Sequence, residues 1–553
     1  MNPATALATV LVDEFMRCGL TDVVLAPGSR SAPLALALYE QSKVRLHVRI
    51  DERSAAFLAL GLAKNTGRPV AVVCTSGTAA ANFHPAVLEA HESGVPMLVL
   101  TADRPPELRQ TGANQTVDQV KLYGGAVRWS HEVGVPEDRP GMVGYWRSLA
   151  SRAWHVAFDP DPGPVHLNLS FREPLTPDGN ESWCEPLDGD RAGAWTKVVP
   201  ATAGSVLHVP PSRRGVLVVG DGAADADRYV AAASAAGWPV LAEPNSNARY
   251  GDHALSSHHF LLGVPEFVER HRPEVVVTVG KPGLSRPLLS FLRGADRHVV
   301  VTPSVSRWPD PVRSASQVAQ RAEIHAAPGD DAWLSSWRTA DLVARSAVDA
   351  VLDESGTLTE PRVARDLVSG LPAGSLLLVA ASMPIRDLDQ TMHPRKEIRV
   401  LANRGASGID GLVSTAVGAA LSHAGPSFAL IGDLGFLHDQ NGLIIGPMDN
   451  RPNLAIVVVN NAGGGIFSLL PPVAFPEAFE RVFGTPHQVD IEAVAAAHGV
   501  PYTRLESIGD LSEATSGAGL RIIEVRTERT ANAALHVRMT NAAHEAVRAS
   551  MSR

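Results

Sequence analysis

Short apolar runs recur along the chain, and each is bounded by Gly, Pro or Asp and followed by an Ala-rich stretch. The runs read "DVVLAPGSR", "VAVVCTSGT", "MLVLTADRP", "GVLVVGDGA", "EVVVTVGKP", "SLLLVAAS", "FALIGDLG" and "AIVVVNN". Strands that are apolar on both faces and alternate with helices are typical of parallel sheets covered on both sides. The pattern therefore predicts an α/β fold built from doubly wound parallel sheets.

Two shifts in composition predict the boundaries between domains. Residues 174–212 are rich in Pro, Gly and charge and lack clear periodicity, which is typical of a linker. A second shift falls between residues 325 and 360, where a helix-like stretch from Trp333 to Val351 leads into "LDESGTLTEP". We therefore predict three domains, at 1–180, 200–345 and 355–553, of which the first and third share a similar strand–loop pattern.

Bulk composition narrows the class of protein. The 553 residues are 45% hydrophobic and 19% charged, and the net charge of −9 argues against a nucleic-acid or membrane-surface binder, which needs a basic face. The three cysteines form no CxxC pair, and the apolar runs are too short to cross a bilayer. Acidic residues Asp13 and Glu14 interrupt the N-terminus before a signal-peptide core could form. We expect a cytoplasmic protein.

Two of the apolar runs end in oxygen-bearing side chains and glycine. Asp433 follows "FALIG", and Asn460 and Asn461 follow "AIVVV", with three glycines from Gly463 to Gly465. Carboxylate and amide oxygens suit Mg²⁺, which usually shares its coordination with phosphate oxygens, and glycine lets backbone approach a diphosphate. Taken singly, each motif could be a turn or a helix cap. Together they favour a site for a metal and a diphosphate.

This pairing resembles the Gly-Asp…Asn-Asn signature of thiamine-diphosphate enzymes. The resemblance implies that Asp433, Asn461 and the carbonyl of Gly463 hold Mg²⁺, or alternatively Mn²⁺, against the diphosphate of thiamine diphosphate. Asn460 is the alternative to Asn461. The sequence departs from the family at Leu434, where the signature usually has glycine, and this alters the turn without removing a ligand.

Enzymes of this family also need a glutamate beside the aminopyrimidine ring of the cofactor. Glu52, in "VRIDERSAAF", follows an apolar strand and precedes an Ala-rich helix, although a helix-capping role for Asp51-Glu52 is the simpler interpretation of the residues alone. The loop "CTSGTAAAN", which carries Thr75, Ser76 and Gly77, is similar to the family's pyrimidine-domain loop. The resemblance implies that Glu52 is catalytic and that two subunits share each active site, in a homodimer or homotetramer.

Basic residues recur in the loops that follow the apolar runs. They are Arg30, Arg104, Lys281 with Arg286, Arg386 and Arg404. The planar fork of arginine matches carboxylates bidentately, and an acidic protein with arginines at its binding edges suits small polyanions. A surface ion pair is the simpler explanation for any one of them.

The segments "PGSRSAPL", "DRPPEL" with "GANQ", "NRGASGIDG" and "GGGIFSLL" resemble a menaquinone-pathway family, the 2-succinyl-5-enolpyruvyl-6-hydroxy-3-cyclohexene-1-carboxylate synthases. The resemblance implies decarboxylation of 2-oxoglutarate and 1,4-addition of the resulting carbanion to isochorismate. The implied substrate-binding residues are Ser29, Arg30, Arg104, Asn114, Gln115, Arg286 (or Lys281), Ser382, Arg386 and Arg404. The implied cofactor-binding residues, besides those named above, are Ile409, Leu434, Gly464, Ile466, Phe467 and Leu470.

Two other interpretations stay open at this point. Another thiamine-diphosphate decarboxylase or carboligase is possible within the superfamily. From a different class, "VVGDGAADAD" resembles a dinucleotide-binding turn of an NAD-dependent oxidoreductase, although it lacks the third glycine. A cluster of His253, His258 and His259 has no convincing ligand spacing, and we expect it in a solvent-exposed loop.

Overall fold

The computed structural model describes residues 1–179, 182–188, 193–199, 205–326, 331–354 and 356–552, and in these residues the strands form four all-parallel sheets. Three are large, with six, five and six strands, and the fourth has two. The prediction of an α/β fold with doubly wound parallel sheets is confirmed. The chain divides into two compact units, of which the first comprises 1–200, 403–424 and 438–452 and the second comprises the remainder.

The first unit contains a six-stranded sheet in the order β2-β1-β3-β4-β6-β5. Its apolar core lies between the sheet and helices that include α1 and α6. The strands are β1 (Asp22–Leu25), β2 (Arg45–Val48), β3 (Val70–Cys74), β4 (Met97–Asp103), β5 (Trp129–Val133) and β6 (Pro164–Ser170). The helices are α1 (Pro3–Cys18), α2 (Ala32–Tyr39), α3 (Glu52–Thr66), α4 (Thr78–Asn82), α5 (His84–Ser93), α6 (Met142–Phe158) and, from a later part of the chain, α14 (Leu412–Leu421).

Helix α3, which begins at Glu52, packs on α14 at glycines. A Cβ atom on Gly61 would lie 2.1 Å from the carbonyl oxygen of Thr415, and one on Gly418 would lie 2.1 Å from that of Leu58. Any side chain at either position would therefore force the two helices apart. This close packing fixes the N-terminus of α3, where Glu52 stands.

The second unit contains the five-stranded sheet, in the order β12-β11-β10-β8-β9, and the two-stranded sheet of β7 and β13. The strands are β7 (Leu207–Val209), β8 (Gly215–Val219), β9 (Val240–Ala242), β10 (Val275–Val279), β11 (Arg297–Val301), β12 (Gln317–Ala319) and β13 (Ala322–Ile324). The helices of this part are α7 (Ala226–Ala235), α8 (His258–Leu261), α9 (Pro265–Arg270), α10 (Arg286–Leu292) and α11 (Asp331–Asp353).

The second unit also contains the other six-stranded sheet, in the order β15-β14-β16-β17-β19-β18. The strands are β14 (Leu376–Val379), β15 (Arg399–Leu401), β16 (Ser427–Gly432), β17 (Leu454–Asn460), β18 (Tyr502–Arg504) and β19 (Arg521–Arg526). The helices are α12 (Glu360–Gly370), α13 (Met383–Thr391), α15 (Asp433–His438), α16 (Pro476–Phe479), α17 (Ile491–Ala497), α18 (Leu511–Ser516) and α19 (Arg529–Met551).

The three large sheets share one topology. Counted from its own first strand, each six-stranded sheet has the order 2-1-3-4-6-5, and the five-stranded sheet has the order 2-1-3-4-5. In such sheets the chain leaves the first strand in one direction and the third in the other, which opens a crevice at their carboxyl ends. The sequence-based division into three domains at 1–180, 200–345 and 355–553 remains a proposal, and part of the predicted linker at 174–212 lies outside the described residues.

Two further expectations can be compared with the structure. Among the described residues, no helix combines the length and the apolar character needed to cross a membrane. The expectation that the histidine cluster lies in a solvent-exposed loop is wrong, because His258 is fully buried in α8. Burial lowers the pKa of His258 to about 4, and its Nε2 atom lies 3.8 Å from the carboxylate of Asp389.

Candidate functional site

Several of the predicted site residues lie in loops at the carboxyl ends of the first and third strands of a six-stranded sheet, next to the crevice described above. In the first unit, Ser29 and Arg30 follow β1, and Thr75, Ser76 and Gly77 follow β3. In the second unit, Ser382 follows β14 and Asp433 follows β16. These are the positions at which open parallel sheets bind their ligands.

Asp433 is buried at the start of α15 and is held by three donors. Its Oδ1 atom accepts a hydrogen bond from the backbone N–H of Leu434 at 2.7 Å, and Oδ2 accepts from the N–H of Gly463 at 2.8 Å. His487 Nε2 lies 3.1 Å from the same Oδ2 atom. Burial nevertheless raises the pKa of the Asp433 carboxyl. A cation beside the carboxylate would offset that cost of burial.

The two asparagines after β17 differ in what their side-chain oxygens contact. Asn460 is fully engaged, because its Nδ2 donates to Glu524 Oε1 at 2.6 Å and its Oδ1 accepts from the N–H of Ala462 at 3.0 Å. Asn461 donates through Nδ2 to Glu360 Oε1 at 2.9 Å, whereas its Oδ1 is buried and has no hydrogen-bond partner among the described residues. A buried oxygen without a donor is a costly arrangement unless a ligand completes it.

The glycines after Asn461 make close backbone contacts that exclude a side chain. Gly463 has φ of +152°, and a Cβ atom on it would lie 2.2 Å from the carbonyl oxygen of Gly484. A Cβ atom on Gly465 would lie 2.7 Å from the Asn461 amide nitrogen. The loop from Asn461 to Gly465 is therefore folded tightly around the predicted metal ligands, as a diphosphate cradle requires.

Two residues near these ligands were missed by the sequence analysis. His487 accepts a hydrogen bond at Nδ1 from the N–H of Val489 at 3.2 Å, so its Nε2 carries the proton that it donates to Asp433. Glu360, the first residue of α12, is 3% exposed and accepts from Asn461 and, at 3.1 Å, from Thr527 Oγ1. Burial, with the nearby charge of Asp387, raises the pKa of Glu360 to about 7. Neither residue belongs to a sequence motif.

Glu52 is the first residue of α3, and Asp51 caps this helix by accepting from the N–H of Ser54 at 3.2 Å. The capping role thus falls to Asp51, whereas the Glu52 carboxylate makes no hydrogen bond or ion pair with any described residue. Burial, and then the charge of Glu52, raise the pKa of the Cys74 thiol at the end of β3. Glu52 therefore faces the end of β3 and remains free to contact a ligand.

The loop after β3 is tied to two of the predicted substrate residues. Arg104, directly after β4, donates through Nη1 to Ser76 Oγ at 2.5 Å and to the carbonyl oxygen of Gln115 at 2.6 Å. The Gln115 side chain in turn donates to the carbonyl oxygen of Ser76 at 3.0 Å. The next residue, Gly77, has φ of +82°. Asn114 is exposed beside Gln115. The structure brings these residues together in one cluster.

Arg30 and Arg104 form an electropositive pair. Arg30 donates to the carbonyl oxygen of Phe171 at 3.1 Å, and a carboxylate oxygen of Glu173 lies 3.8 Å away. The Arg30 Nε–H is buried and finds no acceptor in the part of the chain that the structure describes. Burial and the charge of Arg104 lower the pKa of the Arg30 guanidinium. An anion bound between the two guanidiniums would supply the missing acceptor and reduce their mutual repulsion.

Arg404 lies in a loop that is anchored by a buried carboxylate. Glu89 of α5, 3% exposed, accepts from the backbone N–H groups of Gly405 at 2.8 Å, Ala406 at 2.6 Å and Ser407 at 3.3 Å. These bonds fix the backbone on one side of Arg404, whose guanidinium has no ion-pair partner among the described residues. Ile409 lies further along the same loop and is half-buried.

The remaining basic candidates belong to the second unit. Arg386 lies within α13 and donates to the carbonyl oxygen of Ser382 at 2.5 Å, where Ser382 has φ of +72°. Arg286 is exposed at the first position of α10. Lys281 instead pairs through its backbone with Asp221, as an isolated antiparallel bridge. Of the two alternatives for the middle-domain basic residue, Arg286 has the more accessible side chain.

The apolar candidates of the second unit surround the glycine loop. Ile466 and Phe467 lie in a 3₁₀ segment, Gly465–Leu469, and Leu470 follows it. The three side chains and Leu434 are half-buried, so that each keeps apolar surface open to a ligand. The Phe467 ring lies 5.6 Å from that of Phe483.

The chain is similar to known proteins along its whole length. Residues 5–122 match the family "Thiamine pyrophosphate enzyme, N-terminal TPP binding domain", and residues 386–525 match "Thiamine pyrophosphate enzyme, C-terminal TPP binding domain". Three relatives carry the name 2-succinyl-5-enolpyruvyl-6-hydroxy-3-cyclohexene-1-carboxylate synthase. The protein of Thermobifida fusca is 59% identical over 99% of this chain and 100% of its own. That of Saccharopolyspora erythraea is 50% identical over 100% of both chains, and that of Geobacillus kaustophilus is 42% identical over 96% of both.

The resemblance seen in the sequence motifs is therefore confirmed over the full length of the chain, including the middle region that neither domain family covers. The chain belongs to the family of 2-succinyl-5-enolpyruvyl-6-hydroxy-3-cyclohexene-1-carboxylate synthases, within the thiamine pyrophosphate enzymes.

Proposed function

We propose that the protein catalyses the decarboxylation of 2-oxoglutarate and the 1,4-addition of the resulting carbanion to isochorismate. The products are 2-succinyl-5-enolpyruvyl-6-hydroxy-3-cyclohexene-1-carboxylate and CO₂, in a cytoplasmic step of menaquinone biosynthesis. Thiamine diphosphate, when bound, supplies the electron sink that such a carbanion needs. The protein's part is to bind and orient the cofactor and both acids, and to exclude water.

One observation carries the cofactor assignment. Within the described part of the chain the buried Oδ1 atom of Asn461 has no partner, and the adjoining loop donates its Gly463 N–H to the buried carboxylate of Asp433. An amide oxygen and a carboxylate are both ligands that Mg²⁺ accepts. We assign Mg²⁺, or alternatively Mn²⁺, to Asp433, Asn461 and the carbonyl of Gly463. Asn460 is the weaker candidate because both of its amide groups are occupied.

Glu52 is proposed to hold a proton at the aminopyrimidine ring. The support is its place at the N-terminus of α3, beside the end of β3, and the absence of any hydrogen bond or ion pair to its carboxylate among the described residues. A carboxylate without an internal partner is available to donate to or accept from a bound heterocycle. Thr75, Ser76 and Gly77 form the neighbouring loop.

The substrates are proposed to bind through arginine. Each of the two acids has two carboxylates, and Arg30, whose pKa is lowered by burial and by the charge of Arg104, has a buried N–H without an acceptor among the described residues. Arg404 and Arg386 would bind further carboxylates, with Ser29, Asn114, Gln115, Ser382 and Arg286 completing the polar surroundings. The apolar side chains of Ile409, Leu434, Ile466, Phe467 and Leu470, with Gly464, would keep water from the reacting carbon, whose protonation would waste 2-oxoglutarate.

The assay that tests this function uses purified protein with thiamine diphosphate, Mg²⁺ and 2-oxoglutarate, with and without isochorismate. We expect release of CO₂ to be strongly accelerated by isochorismate and to match the change in ring-diene absorbance. Equal release of CO₂ with and without isochorismate would instead indicate a simple decarboxylase and would overturn the proposal.

We further propose that the active unit is a homodimer or homotetramer in which Glu52 of one copy acts with the metal ligands of another. Mixing inactive Glu52→Gln protein with inactive Asp433→Ala protein, under conditions that exchange subunits, tests this arrangement. A mixed dimer has one site with both residues intact, so activity is expected to return. Lasting inactivity in a mixture shown to contain mixed dimers would place both residues in the same copy.

A further inference from the structure

A histidine–glutamate–histidine cluster lies on the two-stranded sheet and takes no part in the proposed reaction. In this sheet β7 and β13 run parallel, with His208 opposite Glu323. His325 follows Glu323 by two positions, and alternate residues of a strand share one face. Val209, next to His208, and Ile324, between Glu323 and His325, are buried in the apolar core. The strand pattern thus places all three polar side chains on the outer face.

The ligand atoms of this cluster converge. His208 Nδ1 lies 2.9 Å from His325 Nε2 and 3.4 Å from Glu323 Oε2, and the ligand atoms of all three residues lie within 4.8 Å of one another. The two imidazole rings meet at their nitrogen edges and are nearly parallel, with centroids 5.2 Å apart and an angle of 18° between the planes. His208 and Glu323 are exposed and His325 is half-buried, so the group is open to solvent.

We propose that His208, Glu323 and His325 bind a divalent transition-metal ion of the zinc type. Two imidazole nitrogens and one carboxylate oxygen form a ligand set that zinc accepts, with water in the fourth position, whereas Mg²⁺ prefers oxygen ligands. Tetrahedral ligation with bonds of about 2.0–2.1 Å places neighbouring ligand atoms about 3.3 Å apart. The separations of 2.9 and 3.4 Å are already close to this value.

The two facing ring nitrogens share one proton when no metal is bound. Only one N–H fits between them, so one imidazole donates to the other across 2.9 Å. A metal ion replaces the shared proton and uses both lone pairs together with the carboxylate. The alternative is that the two histidines form only a hydrogen bond and that His208 and Glu323 form only an ion pair. The two explanations differ because only the first predicts that added metal binds.

The ion would join strands that are far apart in the sequence. His208 and His325 are separated by 117 residues, and the five-stranded sheet lies between them along the chain. A ligand that binds only the folded state raises its stability, and more so when its binding residues come from distant segments. We therefore expect the metal to raise the melting temperature without entering the catalytic cycle.

The test uses the full-length protein, freed of metal with a chelator and then kept in excess Mg²⁺ so that the proposed diphosphate site is filled. Co²⁺ serves as the spectroscopic probe, and Zn²⁺ is titrated by calorimetry. We expect one equivalent of each ion to bind per chain and the melting temperature to rise by several degrees. Bound Co²⁺ should show the visible absorption bands of four- or five-coordinate geometry, and these bands should disappear when Zn²⁺ displaces the Co²⁺.

Two variants and a control decide the assignment. His208→Gln and His325→Gln keep a polar side chain but remove the imidazole, and each is expected to weaken Zn²⁺ binding by at least about tenfold. His155→Gln, which alters a half-buried histidine of α6, is expected to bind as the wild type does. Absence of saturable Zn²⁺ binding, or unchanged binding in both cluster variants, would overturn the proposal.

Discussion

Replacing Glu360 with alanine tests whether Asn461 is held in place for a metal. Glu360 Oε1 accepts from Asn461 Nδ2 at 2.9 Å, and Thr527 donates to the same oxygen. This contact keeps the amide nitrogen turned toward Glu360 and therefore leaves Oδ1 on the other side, buried and without a partner. In Glu360→Ala the amide loses its acceptor and is free to rotate, so Oδ1 is no longer directed at a fixed point.

The magnitude follows from the hydrogen bond that is lost. A buried donor left without its acceptor costs about 1–3 kcal/mol, which corresponds to about 5- to 150-fold in a binding constant. Residues that orient a metal ligand typically change metal affinity by about 10–100-fold when they are replaced. We therefore expect Glu360→Ala to weaken Mn²⁺ binding by about 10–100-fold. Glu360→Gln retains an oxygen that can accept from Asn461, and its affinity should stay within about threefold of the wild type.

The measurement is free Mn²⁺ by electron paramagnetic resonance, titrated in the presence of thiamine diphosphate, with the melting temperature of each variant as a check on folding. The matched control is Glu524→Ala, because Glu524 makes the equivalent contact to Asn460 at 2.6 Å. It should bind Mn²⁺ nearly as the wild type does. Loss of affinity in Glu524→Ala but not in Glu360→Ala would show that Asn460 is the ligand and that the reasoning is wrong.

Three further predictions concern the first unit. Glu52→Gln should leave thiamine diphosphate bound but lower kcat by at least about 10²-fold, and near-normal turnover would remove Glu52 from its proposed role. Arg404→Ala should raise the KM of a substrate or lower turnover by about 10–100-fold while cofactor affinity stays nearly constant, with Arg404→Lys intermediate; an effect confined to cofactor binding would contradict the placement of Arg404. Burial raises the pKa of Asp439 to about 6. The folded protein therefore loses stability as the pH rises from about 4 to about 6, where the carboxyl is ionised in the unfolded chain but still protonated in the folded one, and the loss is constant at higher pH. The difference in free energy of unfolding between Asp439→Asn and the wild type should therefore shift in favour of the variant as the pH rises through this interval, by at most about 1.4 kcal/mol per pH unit. If the melting temperatures of the two proteins change in parallel from pH 4 to 7, the raised pKa of Asp439 is refuted.

The central strands could be predicted from the sequence because burial on both faces leaves a continuous apolar run. All eight quoted runs form strands, and β1, β3, β4, β8 and β10 are buried at every position. The edge strands β5 and β18 are not among these runs. In β5 and β18 most positions are half-buried or exposed, so their residues carry no continuous apolar signal.

The sequence predicts those residues of the candidate site that directly follow a strand. Asp433 and Asn461 are found by a sequence search because each directly follows an apolar run. The residues that hold them come from elsewhere: Glu360 lies 101 residues from Asn461, and His487 lies 54 residues from Asp433. Only the folded chain brings these partners together. The choice between Asn460 and Asn461 likewise depends on which amide oxygen is already occupied, which no spacing in the sequence reveals.

The middle sheet shows why one topology need not provide the same kind of site three times. Its strand order would permit a ligand between β8 and β10, where "VVGDGAADAD" suggests a dinucleotide. The loops after these two strands instead pair with each other, through reciprocal backbone hydrogen bonds between Asp221 and Lys281 at 3.1 and 2.8 Å.

A Cβ atom on Gly220 would lie 2.2 Å from the backbone nitrogen of Pro282, and one on Gly280 would lie 2.6 Å from the Asp221 carbonyl oxygen. Glycine is needed at both positions for one loop to approach the other, and the backbone groups that a pyrophosphate would contact are used in this pairing. The first glycine of the motif that suggested an oxidoreductase, Gly220, thus has a structural cause. Asn461 beside the glycine loop of the third sheet, by contrast, keeps an oxygen without a partner among the described residues.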